Sequence, residues 1–187
     1  MHHFFAVTLK DEVVAHVTAH VAKMRALVED VPIAWVPPEK LHYTLRFLGT
    51  VAPERVARIA EAARAVAQQT DPFPLMAEGV GAFPSARSPR VLWIGASSGV
   101  EPLVDLADRL DHALTPLGFG VADHPFRPHL TIARSKGKPG ERALRKILEG
   151  EPRADVGVMS IDAFGLMTSG TEERGYGTVE VFPLGKR

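Results

Sequence analysis

The sequence predicts an α+β fold with antiparallel sheets, and three observations carry that prediction. The pattern His-x-Thr-x occurs twice, in LHYTLRFLG at 41–49 and in FRPHLTIAR at 126–134, with the histidines 87 positions apart. Around each copy, β-rich runs alternate with helical ones, and most of the β-rich runs are joined by turns short enough for hairpins. Hydrophobic residues make up 45% of the 187 and charged residues 24%, ordinary for a folded chain and too apolar for a disordered one.

The elements follow in order. FFAVTL (4–9) is a β-rich run, and EVVAHVTAHVAKMRALVED (12–30) places apolar residues at helical spacing with charges between them. Pro32 breaks that helix, IAWV (33–36) reads as a strand, and Pro37-Pro38 separates it from the strand HYTLRFLG (42–49). Pro53 opens a second helix, PERVARIAEAARAVAQQ (53–69), at a first-turn position where its missing donor costs nothing. Two β-like segments follow, PFPLMAEGVGAF (72–83) and RVLWIGAS (90–97), then an amphipathic helix over EPLVDLADRLDHALTPLG (101–118). After FGVADHPFRP (119–128) come the strand HLTIAR, a Gly-Pro-rich turn GKPG (137–140) and a short helix ERALRKILEG (141–150). Two terminal strands are expected, DVGVMSIDAFGLMTS (155–169) and YGTVEVFPL (176–184).

Each half therefore carries a long helix, a His-x-Thr strand and a helix directly after it. This outlines an internal duplication within a single domain, 1–187, whose approximate halves are 1–95 and 96–187. Lys plus Arg and Asp plus Glu both total 22, so there is no overall basic field to hold long duplex nucleic acid, and any phosphate must be gripped locally. The absence of cysteine excludes disulfides, thiolate metal sites and a cysteine nucleophile. No apolar run approaches the ~20 residues that cross a bilayer, and MHHFFAVTLK is too short and too quickly charged for a secretory signal. The expected location is cytoplasmic, away from any membrane.

Strand side chains alternate between faces, so His42 and Thr44 share one face while Tyr43 and Leu45 share the other; His129 and Thr131 are paired in the same way. Two such strands side by side about a two-fold axis would line one cleft with two imidazoles and two hydroxyls. Imidazole titrates near ~6.5, so one ring can accept a proton while the other donates one. In-line hydrolysis of a phosphodiester needs that division, with a base on the attacking water and an acid on the leaving oxygen. Thr44 and Thr131 can donate to the non-bridging oxygens. Arg46 has the parity of His42 and should project into the cleft; Arg127 matches His129 if the strand starts early, which Pro128 favours. Either could bind phosphate as a bidentate fork. Arg134 has the opposite parity, which leaves a structural ion pair and a cleft role both open.

Other signals are weaker. His16 and His20 stand one helical turn apart, but HVTAH lacks the glutamate of the zinc-protease motif and shows no third ligand, so they read as solvated helix histidines and no metal site is expected. Gly79-Val-Gly81 reads as a turn, since no Lys-Ser/Thr follows it. Phe83, Phe126 and Tyr176 can stack on a base or pack in the core.

These residues resemble a known family, the two-histidine (2H) phosphoesterases, and within it the bacterial and archaeal RNA 2′,3′-cyclic phosphodiesterases, also called 2′-5′ RNA ligases. The resemblance spans FFAV, WVPPEKLHYTLRFLG (35–49), GAFPSARSPRVLWIG (81–95) and FRPHLTIAR, with Ser169 and Tyr176 similar to a weaker late block. It implies a bilobal, pseudo-two-fold fold with two antiparallel sheets facing a central cleft and helices outside, with no metal or nucleotide cofactor. It also implies that the partners are RNA 3′ ends or small nucleotides bearing a 2′,3′-cyclic phosphate, with no obligate protein partner. His42 would be the proton donor to the leaving 3′ oxygen and His129 the acceptor that activates water. An ATP-independent 2′-5′ ligase and a nucleotide-binding module with little turnover are the alternatives; retention of both imidazoles favours chemistry. The chain departs from the family near position 2, where an arginine is usual and His2-His3 stands here.

Overall fold

FFAV lies in β1 (His2–Thr8), and all four of its residues are buried because the strand is covered on both faces. Phe5 and Val7 enter the main core, whereas Phe4 and Ala6 meet Met167 in a small cluster on the opposite face. α1 (Asp11–Ala26) has Asp11 and Glu12 in its first turn and Lys23 and Arg25 in its last, the order that the helix dipole favours. β2 (Ile33–Trp35), a 3-10 turn over Pro38–Lys40, β3 (His42–Thr50) and α2 (Pro53–Gln68) follow. Then come β4 (Phe73–Phe83), β5 (Val91–Ser98), α3 (Val100–Leu114), β6 (Leu130–Ser135) and α4 (Gly137–Glu149). β7 (Asp155–Ile161), β8 (Ala163–Ser169) and β9 (Tyr176–Pro183) complete a computed structural model that describes residues 1–28, 31–122, 124–150, 154–169 and 176–185.

The strands run β7-β4-β5-β6-β3-β1-β8-β9, with short β2 also paired to β6, and neighbours are antiparallel throughout. The two His-x-Thr strands meet in the middle through a single pair, Tyr43 with Leu130. Each of these residues directly follows its motif histidine, so an approximate two-fold passes between them and relates β3 to β6, β1 to β5, β8 to β4 and β9 to β7. Tyr43 is fully buried at this junction, and its hydroxyl donates to the Gly95 carbonyl at 3.0 Å, which satisfies a group that burial would otherwise penalise.

The fold is α+β, with two antiparallel lobes that share one continuous hydrogen-bonded order. The lobes are assembled crosswise. β3 and β1 stand with β8 and β9, while β4 and β5 stand with β6 and β7, so neither lobe corresponds to one sequence half. The crossing occurs at Asp162: DVGVMSIDAFGLMTS is two strands, β7 paired with β4 and β8 paired with β1.

Three smaller expectations are also corrected. GKPG is the first turn of α4 rather than a separate turn, with Gly137 at φ +68° entering the helix. Gly79-Val-Gly81 lies inside β4, where the register shifts and Gly79 takes φ +79°. His16 and His20 are not simply solvated: Nδ1 of His16 lies 3.0 Å from the Val156 carbonyl and Nε2 of His20 lies 3.1 Å from that of Asp155, tying α1 to the outermost strand β7. No described helix is long and apolar enough to cross a membrane.

Candidate active site

The alternation that sequence parity assumes holds for three residues of each motif strand and then breaks. On β3, Ala6 pairs with Thr44 but Phe5 pairs with Arg46, so Leu45 is an extra residue in a bulge. On β6, Trp93 pairs with Thr131 but Leu92 pairs with Ala133, which leaves Ile132 in the equivalent bulge. Each bulge turns two successive side chains away from the cleft: Leu45 is buried with Arg46 beside α3, and Ile132 and Ala133 are fully buried. The next residue on each strand then faces the cleft, Phe47 on β3 and Arg134 on β6.

A cavity of about 220 Å³ lies between the two strands. His42, Thr44, His129 and Thr131 all line it, together with Lys40, Phe47 and Arg134; Phe4, Val36, Ser169 and Tyr176 complete its described wall. None of these side chains is acidic, so the cavity is locally cationic in a chain of zero formal net charge.

The two histidines are held in the same way. His42 Nδ1 lies 2.8 Å from the carbonyl of Lys40, and His129 Nδ1 lies 2.7 Å from that of Arg127, in each case two residues earlier. A carbonyl only accepts, so each Nδ1 carries the hydrogen and each Nε2 is the nitrogen left to gain or lose a proton. His42 Nε2 is 3.0 Å from Thr44 Oγ1. Aromatic edges back both rings: Tyr176 stands at 5.3 Å and 82° to His42, and Phe83 at 5.1 Å and 84° to His129. Burial holds the His42 imidazole below its ordinary pKa; the bond to the Lys40 carbonyl opposes this, and the charges of His129 and Arg134 add to the lowering.

The arginine expectations change places. Arg46 does not reach the cavity, because the Leu45 bulge turns it towards α3, where its Nε lies 3.0 Å from Asp111 and its Nη2 donates to the Gly120 carbonyl. Arg127 is exposed before β6 begins, and what it supplies to the site is its carbonyl, the anchor of His129. Arg134 lines the cavity by virtue of the second bulge. Of the three aromatics, Tyr176 lines the cavity, Phe83 braces His129, and Phe126 packs against the core. Near the family's usual N-terminal arginine, His2 is exposed beside Phe47 with ring centroids 5.7 Å apart, while His3 is buried.

A cleft built twice over from one strand motif places the protein among the two-histidine phosphoesterases. It belongs to the LigT-like phosphoesterase family, whose model, described as LigT like Phosphoesterase, matches residues 7–93 and again residues 94–175. The two matches meet between residues 93 and 94. The RNA 2′,3′-cyclic phosphodiesterase of Methanothermobacter thermautotrophicus is 31% identical over 183 residues, 97% of each chain. That of Aeropyrum pernix is 35% identical over 139 residues, 74% of this chain and 78% of its own. Among solved structures, TT0787 of Thermus thermophilus superposes with a TM-score of 0.82 at 28% identity over the whole of both chains. E. coli LigT complexed with 3′-AMP gives 0.75 at 25% identity over 98% of this chain and 97% of its own.

Proposed function

We propose that the protein hydrolyses 2′,3′-cyclic phosphates at RNA 3′ ends to 2′-phosphates, using two histidines as acid and base and requiring no metal. The observation that carries this reading is the paired anchoring of the imidazoles: both Nδ1 atoms are committed to carbonyls, and both rings line one cavity with the two threonines. His129 Nε2 takes a proton from water as the water oxygen bonds to phosphorus. The P–O3′ bond breaks in line, and His42 Nε2 gives its proton to O3′, leaving a free 3′-hydroxyl and a 2′-phosphate. Thr44, Thr131 and Arg134 hold the non-bridging oxygens, whose charge they are suited to bind. Phe47 and Tyr176 offer aromatic surface to the terminal base. The activity of the relatives supports the choice of substrate, and the 3′-AMP bound by E. coli LigT supports a nucleotide-sized ligand.

The test is an oligoribonucleotide ending in a 2′,3′-cyclic phosphate, incubated with the protein in EDTA, with products resolved by a phosphatase that distinguishes 2′- from 3′-phosphate. Turnover to the 2′-phosphate is expected, with kcat lowered by ~10²–10⁴ in His42→Ala and in His129→Ala. Full activity in either variant removes the catalytic assignment, and nucleotide binding without turnover makes the protein a binding module.

A further inference from the structure

The cleft carries more positive charge than a single cyclic phosphate uses. A cyclic phosphodiester bears one negative charge, and a guanidinium with two hydroxyls is enough to satisfy its two non-bridging oxygens. Arg134, Thr44 and Thr131 supply that set, yet Lys40 also lines the cavity, with no acidic side chain among the described residues of its wall.

Lys40 has two separable parts. Its carbonyl accepts from His42 Nδ1 and is fixed by the 3-10 turn over Pro38–Lys40, in which the amide of Lys40 bonds to the Pro37 carbonyl at 2.9 Å. Its ammonium is free of that duty: it reaches over Tyr176, 5.7 Å from the ring centre, and that residue is 42% exposed. The charge therefore stands at an open part of the cleft, beside His42, on a stem long enough to follow a flexible ligand.

We propose that Lys40, over Tyr176, binds the phosphodiester one nucleotide upstream of the cyclic end, so that the preferred substrate is an oligoribonucleotide terminus rather than a free cyclic mononucleotide. This rests on the reading of the site given above. It also explains how a chain with no net charge selects RNA ends: the second anion is met by one local cation rather than by a basic face.

The experiment compares kcat/KM for a 2′,3′-cyclic mononucleotide, for the dinucleotide with one internal phosphodiester, and for the same dinucleotide with a neutral methylphosphonate linkage. The wild type should favour the charged dinucleotide by about tenfold over both others, the worth of one charge-assisted contact. Lys40→Gln should collapse that ratio towards one, and rising salt should erode it in the wild type only. An equal fall for all three substrates in Lys40→Gln, or a wild type indifferent to the internal charge, overturns the subsite while the hydrolase reading stands. No turnover of any of the three by the wild type overturns the hydrolase reading and the subsite with it.

Discussion

Arg46 Nε and Asp111 Oδ1 stand 3.0 Å apart, with side chains only 18% and 9% exposed, on the side of β3 facing away from the cleft. The contact is one of charge rather than an aligned hydrogen bond, since neither atom has a hydrogen-bond partner. Around it gathers the chain that leads to His129: Asp111 Oδ2 accepts from the amide of Ala122 at 2.8 Å, and Arg46 donates to the carbonyl of Gly120. Arg46→Met strands a buried carboxylate and should cost about 3 kcal/mol in urea unfolding. Arg46→Met combined with Asp111→Leu should recover much of that loss, because the unpaired charge is gone. Loss of activity in Arg46→Met at unchanged stability would instead place the guanidinium on the substrate.

The His42 environment fixes the sign of a pH effect. Burial and the neighbouring cations disfavour the imidazolium, so in the free protein His42 should titrate below ~6.5. A bound phosphate is an anion beside the His42 ring and favours its charged form, which raises its midpoint. An NMR titration of the His42 ring should therefore begin low and move up on adding a 2′-nucleotide. In kinetics the alkaline limb of the kcat profile, set by loss of the His42 proton, should lie at higher pH than that of kcat/KM. A His42 midpoint above 7 in the free protein would contradict this account.

Arg134 offers two readouts at once. Its charge is one of the causes that lower the His42 pKa, and its side chain lines the cavity. Arg134→Gln should raise KM by about tenfold through loss of a charge-assisted contact, and it should also raise the His42 midpoint by removing a nearby cation. A residue that only filled space would move neither in that direction. A raised KM with the His42 titration unmoved would mean that Arg134 acts at the substrate alone.

The exchange between Arg46 and Arg134 marks where sequence stops being readable. From His42 to Thr44 and from His129 to Thr131 the alternation is a property of any strand, so the two polar pairs and the buried Tyr43 and Leu130 were legible from parity. A bulge adds one residue without a sequence mark, and neither YTLRF nor LTIAR contains a glycine to advertise it. Leu45 and Ile132 were still placed correctly in the core, but the parity of the residues after them shifted, which turned Arg46 away from the cleft and brought Arg134 into it. A consistency argument could have found the fault: Ile132 and Ala133 are both apolar, and a strict alternation would have pushed one of them into a polar cleft. The two motif strands and the helix after each were legible from the motifs and their flanks, but the crosswise lobes were not. They depend on the turn at Asp162 inside a run whose β propensity is continuous. The start of α4 was missed for a related reason, since Gly137 and Pro139 are turn formers that also suit the first turn of a helix, whereas the start of α2 at Pro53 was legible.

Gly81 and Trp93 connect packing to catalysis. They are cross-strand partners on β4 and β5, and a Cβ at Gly81 would lie 2.2 Å from the far edge of the indole. The ring cannot yield without displacing its neighbours, because Phe83 lies 5.3 Å from it and itself stands edge-on to His129 at 5.1 Å. Gly81→Ala should therefore destabilise by about 1–3 kcal/mol, as overpacking does, and should lower kcat by disturbing His129. Gly79→Ala is the control on the same strand. Nothing lies within 4 Å of its Cβ position, so its cost is the strain of φ +79°, about 1 kcal/mol, with kcat preserved. Trp93→Phe in the Gly81→Ala background should return much of the lost activity by shortening the obstructing ring. If Gly79→Ala and Gly81→Ala lower kcat equally, the chain of contacts from Trp93 through Phe83 does not orient the histidine.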